Sequence, residues 1–334
     1  MITSSGPPAG GPRWFAHPDA RNWTCAPAPA DVQVFHAGLA GYAPTPLTEA
    51  PAIAAELGVG RAFVKDESAR MGLAAFKVLG ASWAVHHVLS RRPAGSAVLL
   101  VTASDGNHGR AVARMARLSG QRAHVLVPSG VHPVAAAAIA AEGARVTEIA
   151  GTYDDAVRLA AQAASEPSAV LVQDTAWPGY QEIPGWIAEG YSTLFTEIDA
   201  QLALAGAPGP GLVVVPAGVG SLAQAAITHY RSRPGGSGPP ASLLSAEPES
   251  AACVLASLIK GDLVSVPGGA TVMAGLNCGT PSLLAWPRLR DGLDAALAVT
   301  DAASIIAAHD LAACGVPAGP CGAASLAAAR AALT

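Results

Sequence analysis

The sequence predicts an α/β protein with largely parallel strands buried on both faces. Short, mostly apolar runs alternate with helical stretches from residue 61 onward, and glycines stand where those helices should stop. Eight runs qualify as strands: 62–65, 97–102, 123–128, 145–149, 170–173, 212–216, 243–247 and 295–300. Each is four to six residues, most of them Val, Leu, Ile and Ala, too short for a helix and bounded by turn residues. Between and around them, helical patterns cover 75–89, 109–118, 133–142, 153–164, 183–204, 221–230, 251–259 and 302–314, with a further alanine-rich stretch at 324–333. Gly120, Gly143 and Gly315 occupy the position one past a helix cap, where a left-handed backbone favours glycine. Linkers rich in Gly, Ala and Pro are expected at 205–211 and 233–240.

The 334 residues suffice for two domains with separate cores. Apolar residues make up 51% and charged residues 13%. Much of the apolar excess is alanine, and no run approaches the roughly 20 residues of a membrane span. The first 30 residues are rich in Pro, Gly and Ala without an apolar signal core, so they read as a flexible arm rather than a targeting peptide. A net charge of −4 without a basic block argues against a nucleic-acid partner. Five scattered cysteines with no CxxC pair suit a reducing cytoplasm and give no zinc signature, and no metal is expected.

Lys77 is one of three lysines beside seventeen arginines, within an uncharged stretch, Gly72-Leu-Ala-Ala-Phe-Lys77-Val-Leu-Gly80. An apolar setting disfavours the ammonium and frees a nucleophilic amine, which arginine cannot provide. The residue is a candidate carbonyl-reactive lysine; on position alone, a stem packed on the core with its head in water explains it as well.

Open α/β sheets bind ligands beyond the carboxyl ends of their strands, so the loops there hold the remaining candidates. After 97–102 comes Ser104-Asp105-Gly106-Asn107-His108-Gly109, a turn that can hold an anion or present polar groups, or simply cap the next helix. After 212–216 comes Gly218-Val219-Gly220-Ser221-Leu222, whose amides at a helix start suit a phosphate on a small ligand; it lacks the spacing of a dinucleotide fingerprint. Asp174 follows 170–173, where it can face a cleft or cap the next segment.

A lysine, an SxGNHG loop and a glycine cup in this order resemble pyridoxal-phosphate enzymes of the tryptophan-synthase-β type. Finer segments resemble the diaminopropionate ammonia-lyase family: 41–47, 64–68, 72–80, 105–110, 153–159, Gln173-Asp174-Thr175-Ala176-Trp177, 217–220 and Thr271-Val-Met-Ala-Gly-Leu-Asn-Cys-Gly279, over about residues 35 to 325. The resemblance implies two open, mostly parallel-sheet domains: a large cofactor-binding domain from 31–80 and 182–334, and a small one from 81–181. It implies pyridoxal 5'-phosphate as cofactor, held by Lys77 as an internal aldimine, with Phe76 beside it, Asn107 on its phenolic oxygen and Gly218, Val219, Gly220, Ser221 and Leu222 around its phosphate. Asp105 and Asp174 match the acid/base carboxylates, one for each face of the substrate, and Ser104, His108 and Tyr153 match residues near it. The implied reaction removes the α-proton and β-amine of 2,3-diaminopropionate to give pyruvate and ammonia. The alternatives are another β-elimination or β-replacement, as in serine and threonine dehydratases or specialised metabolism, or a non-catalytic protein of this fold. A small amino-acid substrate, a homodimer, a cytoplasmic location and no membrane are also implied. The family continues beyond Thr334, and its acidic turn is here Gly319-Pro-Cys-Gly322. A C-terminus shorter than the family's predicts a partly uncovered sheet, with Cys321 or Ser325 left to face the pyridine nitrogen.

Overall fold

The structure, a computed structural model, describes residues 13–232 and 239–334. Positions 1–12 of the expected arm and 233–238 of the expected second linker lie outside the described residues. Ten strands are present in the described chain: β1 Trp14–Ala16, β2 Leu47–Glu49, β3 Phe63–Lys65, β4 Leu99–Ala103, β5 Arg122–Pro128, β6 Arg145–Ile149, β7 Ala169–Leu171, β8 Leu212–Pro216, β9 Ser242–Pro248 and β10 Ala295–Val299. The chain divides into two units, one of Met1–Ala28, Pro44–Ser68 and Leu194–Thr334, the other of Pro29–Ala43 and Ala69–Thr193.

The second unit holds a four-stranded, fully parallel sheet in the order β6-β5-β4-β7. β4 is central, with Leu99 opposite Arg122 on one side and Ala169 on the other. Helix Tyr153–Ala163 packs its alanine face, Ala156 and Ala160, against Val101, Ala103, Leu126 and Leu171. Its start is fixed by a capping box, Thr152 accepting from the Asp155 amide while Asp155 accepts from the Thr152 amide. The sheet therefore delivers the loops after β4 and β7 to one end of the unit, where the sequence placed Asp105 and Asp174.

The first unit holds the order β1-β10-β9-β8, parallel except for the edge strand β1, and a separate antiparallel pair β2-β3. The expected arm thus contributes, in its described part, a strand whose Phe15 lies opposite Ala296. Its aromatic residues pair where flexible coil was expected, because the edge of β10 offers free backbone groups. Helix Pro320–Leu333 packs on this sheet, burying Ala323, Ala324, Ala327 and Ala328 in one core with Leu244, Ala246, Leu297 and Val299. Alanines let helix and sheet approach closely, and the last helix covers this face of the sheet.

Gly120, Gly143 and Gly315 all adopt positive φ, 68°, 91° and 82°, as their places after helices predict. The stretch predicted as one helix over 183–204 is two, Glu182–Gly190 and Ser192–Leu204, interrupted at Tyr191. No helix among the described residues is long and apolar enough to cross a membrane.

Candidate active site

Lys77 is the first residue of helix Lys77–Ser90, with Phe76 in the cap position before it. The preceding backbone is unusual: Met71 has φ 51°, the left-handed region for a non-glycine residue. Its carbonyl accepts from Arg114 at 3.1 Å, and Arg114 is itself held by the buried Glu142. The lysine ammonium lies 5.5 Å from the Phe76 ring centroid and 5.7 Å from that of Tyr191, and the two rings meet edge to face at 4.9 Å. Its Nζ donates to Asp174 Oδ2 at 2.7 Å. The pair is largely removed from water, the side chains being 23% and 8% exposed.

Asp174, three residues past β7, thus faces the lysine and does not serve as a helix cap. Burial works against its charge, but the nearby Lys77 ammonium, His108 and the lysine hydrogen bond hold its carboxyl well below the ordinary carboxylate range. His108 is buried in the first turn of helix Asn107–Leu118. Its Nε2 lies 2.8 Å from the Val172 carbonyl, an atom that only accepts, so Nε2 carries a proton. Nδ1 is buried without a hydrogen-bond partner, 3.9 Å from Asp174 Oδ2. Burial lowers the His108 pKa, with the Asp174 carboxylate working against it.

The β4 loop places its residues differently. Ser104 is buried and its Oγ accepts from the amides of Gly106 and Gly109 at 3.0 and 2.9 Å, so it holds the turn together. Asn107 stands exposed at the helix start. Asp105 is half-buried, and burial, reinforced by the negative Asp174, pushes its carboxyl up to about 6. The two carboxylates are therefore tuned in opposite directions, one acidic and one near the middle of the physiological range. A carboxyl whose folded pKa is raised stabilises the fold at low pH and costs stability as pH rises from its unfolded value, 3.8, through about 6. Asp105→Asn should therefore raise the melting temperature at pH 7–8, with the gain shrinking to nothing below about pH 4. Thermal unfolding across that range checks it, and an unchanged or lowered melting temperature at pH 8 would contradict it.

Tyr153, at the start of helix Tyr153–Ala163, reaches this group through Gln173, whose Nε2 donates to the Tyr153 hydroxyl at 2.8 Å. Two residues here escaped sequence reasoning. Tyr191 lay hidden in a stretch that read as continuous helix, and its burial raises its hydroxyl pKa to about 12. Gln173 stood within a matched motif, but a glutamine carries no chemical signature of its own.

In the other unit, the glycine loop follows β8 and opens helix Ser221–Arg231. Gly220 caps that helix with φ 92°, and a Cβ there would come within 2.7 Å of Leu289. A Cβ on Gly218 would meet Cys278 Sγ at 3.0 Å and the Gly275 carbonyl at 3.3 Å, which ties the loop to the 271–279 segment. Ser221 is buried, and the Val219 carbonyl accepts from the Ser282 amide at 2.8 Å. Glu247, near the end of β9, spends both oxygens on the amides of Val254 and Leu255 in the first turn of helix Cys253–Lys260. Among the described residues no group of three or more His, Cys, Asp or Glu is arranged to hold a metal ion.

A family model described as pyridoxal-phosphate dependent enzyme matches residues 39–334. Diaminopropionate ammonia-lyase of Salmonella typhimurium is 39% identical over 293 residues, which are 81% of this chain and 72% of that protein. Among solved structures, diaminopropionate ammonia lyase from Escherichia coli in complex with an aminoacrylate-PLP azomethine reaction intermediate matches with a TM-score of 0.83 at 32% identity, covering 95% of this chain and 85% of that one. Maize serine racemase matches with a TM-score of 0.76 at 25% identity, covering 91% of this chain and 87% of that one. The chain belongs to the pyridoxal-phosphate dependent enzymes and, within them, to the diaminopropionate ammonia-lyase family.

Proposed function

We propose that this chain is an ammonia-lyase that uses pyridoxal phosphate to convert 2,3-diaminopropionate and water into pyruvate and ammonia, one ammonia from each amine. The observation that carries the reading is the amine of Lys77, set between two aromatic rings and paired at 2.7 Å with a buried carboxylate. The residues present fit the cofactor. A partly buried lysine suits its carbonyl, the unpartnered buried nitrogen of His108 marks a polar site, and a glycine loop too tight for a Cβ suits an anion at a helix start. Lys77 would hold the carbonyl carbon, and the amides of Gly218 to Leu222 would receive the phosphate. Once bound, the cofactor supplies an electron sink for the charge left on the substrate's α-carbon.

The rest falls to the chain's own side chains. Asp174 and Asp105 each take or return a proton at the substrate's α-carbon. Two carboxylates would let both hands of the substrate react. Asp105, held near pH 6, can give up a proton to the departing β-amine and recover it at neutral pH. Phe76 and Tyr191 exclude water around the amine.

The reading extends to a homodimer in a reducing cytoplasm. Supporting it, Ile305 and Ile306 stand exposed on helix Asp301–Ala313, and all five cysteines are unbridged. The test of the function supplies the loaded enzyme with diaminopropionate, serine and threonine side by side and measures pyruvate, 2-oxobutyrate and ammonia. Diaminopropionate should be preferred by at least about tenfold in kcat/KM, because a site built to hold a β-ammonium rejects a hydroxyl. Faster turnover of serine or threonine would overturn the substrate.

A further inference from the structure

Gln173 is fully buried, at 0% exposure, one residue before Asp174. Its Oε1 accepts from the Ala103 amide at 2.9 Å and from the Thr102 hydroxyl at 2.9 Å. The Ala103 N–H can only donate, which fixes the orientation of the glutamine amide, since the reverse would set N–H against N–H. Nε2 is therefore held on the far side, where it donates to the Tyr153 hydroxyl at 2.8 Å and to Asp174 Oδ1 at 3.4 Å. All of the amide's bonding capacity is spent on these four partners. The main chain around it is clamped as well: the Gln173 amide donates to the Tyr180 hydroxyl at 2.8 Å, and that hydroxyl donates to the Leu171 carbonyl at 2.9 Å.

The polarity runs one way, from the backbone of β4 through one amide into two groups expected at the substrate. Asp174 has Oδ1 fixed by Gln173, which leaves Oδ2 turned to Lys77. Tyr153 is made an acceptor toward Gln173, so its own proton is left for another partner. Neither bond reaches Asp105, which stands on the loop after β4. The charged or titratable groups facing Asp174 include Lys77, His108, Asp105, Tyr180 and Tyr191. Gln173 donates to it as a neutral amide.

We propose that Gln173 is a positioning residue for one half of the reaction: it aims the Asp174 carboxylate and the Tyr153 hydroxyl, and thereby governs turnover of the substrate hand whose α-proton Asp174 handles. This inference rests on the lyase reading above. It is tested with Gln173→Met, which keeps length and loses every bond, and Gln173→Glu, which keeps the acceptor and replaces the donor with an acid. Both are assayed with each enantiomer of diaminopropionate, beside Asp174→Asn and Asp105→Asn as references. Gln173→Met should lower kcat/KM by about tenfold or more for the hand that Asp174→Asn abolishes and by less than about threefold for the other, on the scale of a lost hydrogen bond to a charged group. Gln173→Glu should weaken the same hand, because it sets a second acid against the Asp174 carboxylate in place of a donor.

Two further readouts do not depend on turnover. The visible absorbance of the bound cofactor should be unchanged in both variants. The drop in melting temperature caused by Gln173→Met should shrink in an Asp174→Asn background, as it must if the two side chains are coupled. Equal loss for both hands, a lost cofactor band, or no loss for either hand would each overturn the assignment. If the unaltered enzyme takes up cofactor yet releases nothing from diaminopropionate, the lyase reading falls alone. Deuterium exchange at the α-carbon of L- and D-alanine then tests Gln173 by the same hand-selective pattern.

Discussion

Lys77→Ala is expected to abolish both the visible absorbance of the loaded protein and its ammonia release, with activity down by at least about a thousandfold, since no other amine replaces a covalent anchor. It should also destabilise the fold, which separates it from a purely catalytic loss. Lys77 is the counter-charge of a carboxylate whose side chain is 8% exposed. Removing one partner of such a buried pair costs roughly 3–5 kcal/mol, and the 23% exposure of the lysine side chain places this one toward the lower end. The pH dependence has a definite sign. The folded pKa of Asp174 is depressed, so its contribution is present above the unfolded value of 3.8 and is lost as pH falls below it. The stability gap between Lys77→Ala and the unaltered chain should therefore be widest near neutrality and close on acidification. Lys77→Ala combined with Asp174→Asn should recover most of the stability and none of the activity. Urea unfolding at pH 7 and pH 3, beside an absorbance scan, measures both effects. A colourless but fully stable Lys77→Ala chain would mean that the ion pair does not hold Asp174.

Much of the fold was legible because the strands are mostly apolar and end at glycines or polar loops. β6 and β8 run over the very residues predicted, and helix Pro133–Ala141 differs from its prediction by one residue. The elements that escaped were those too short to show a period: β1 and β2 of three residues each, and helices Asp31–Ala37, Pro51–Glu56 and Trp286–Gly292. The break at Tyr191 escaped for another reason. Gly190 and Tyr191 interrupt a run whose apolar spacing continues on either side, and the break is imposed by what packs against it.

The chemistry divided in a similar way. Lys77, Asp105 and Asp174 are conspicuous because charge is scarce in this sequence and loops after strands are where ligands sit. Their opposite tuning was not visible, since it depends on burial and on which neighbour is charged. Gln173 was invisible as a positioning group, because an amide's role is set only by the donors and acceptors the fold places around it. Ser104 was placed beside the substrate by resemblance alone, and that its hydroxyl also accepts from two backbone amides was not visible in the sequence.

The crossing behind Lys77 sets up a second large effect on the fold. Helix Lys77–Ser90 meets helix Glu182–Gly190 through two glycines: a Cβ on Gly80 would lie 2.6 Å from both the Ile187 carbonyl and the Tyr191 ring, and one on Gly190 would lie 2.5 Å from the Leu79 carbonyl. Glycine inside a helix is otherwise a loss of about 1 kcal/mol relative to alanine, so Gly80→Ala would stabilise an unpacked helix. Here the nearest atoms include backbone of the facing helix, which cannot rotate away. Overpacking of this kind costs typically about 1–3 kcal/mol and occasionally more, and Gly80→Val should exceed Gly80→Ala. Gly60→Ala, at a position with nothing within 4 Å of the added carbon, should change stability by no more than about 0.5 kcal/mol. Function should follow the clash. Gly80 lies one turn beyond Lys77, and Tyr191, the residue after Gly190, is one of the two rings against the lysine. Helices forced apart would carry that ring off the amine and open it to water. Gly80→Ala should therefore lose cofactor affinity along with stability, whereas a destabilising change elsewhere in the unit, such as Val112→Ala, should lose stability alone. Equal cofactor affinity in Gly80→Ala and the unaltered protein would mean that the crossing supports the fold without setting the place of the amine.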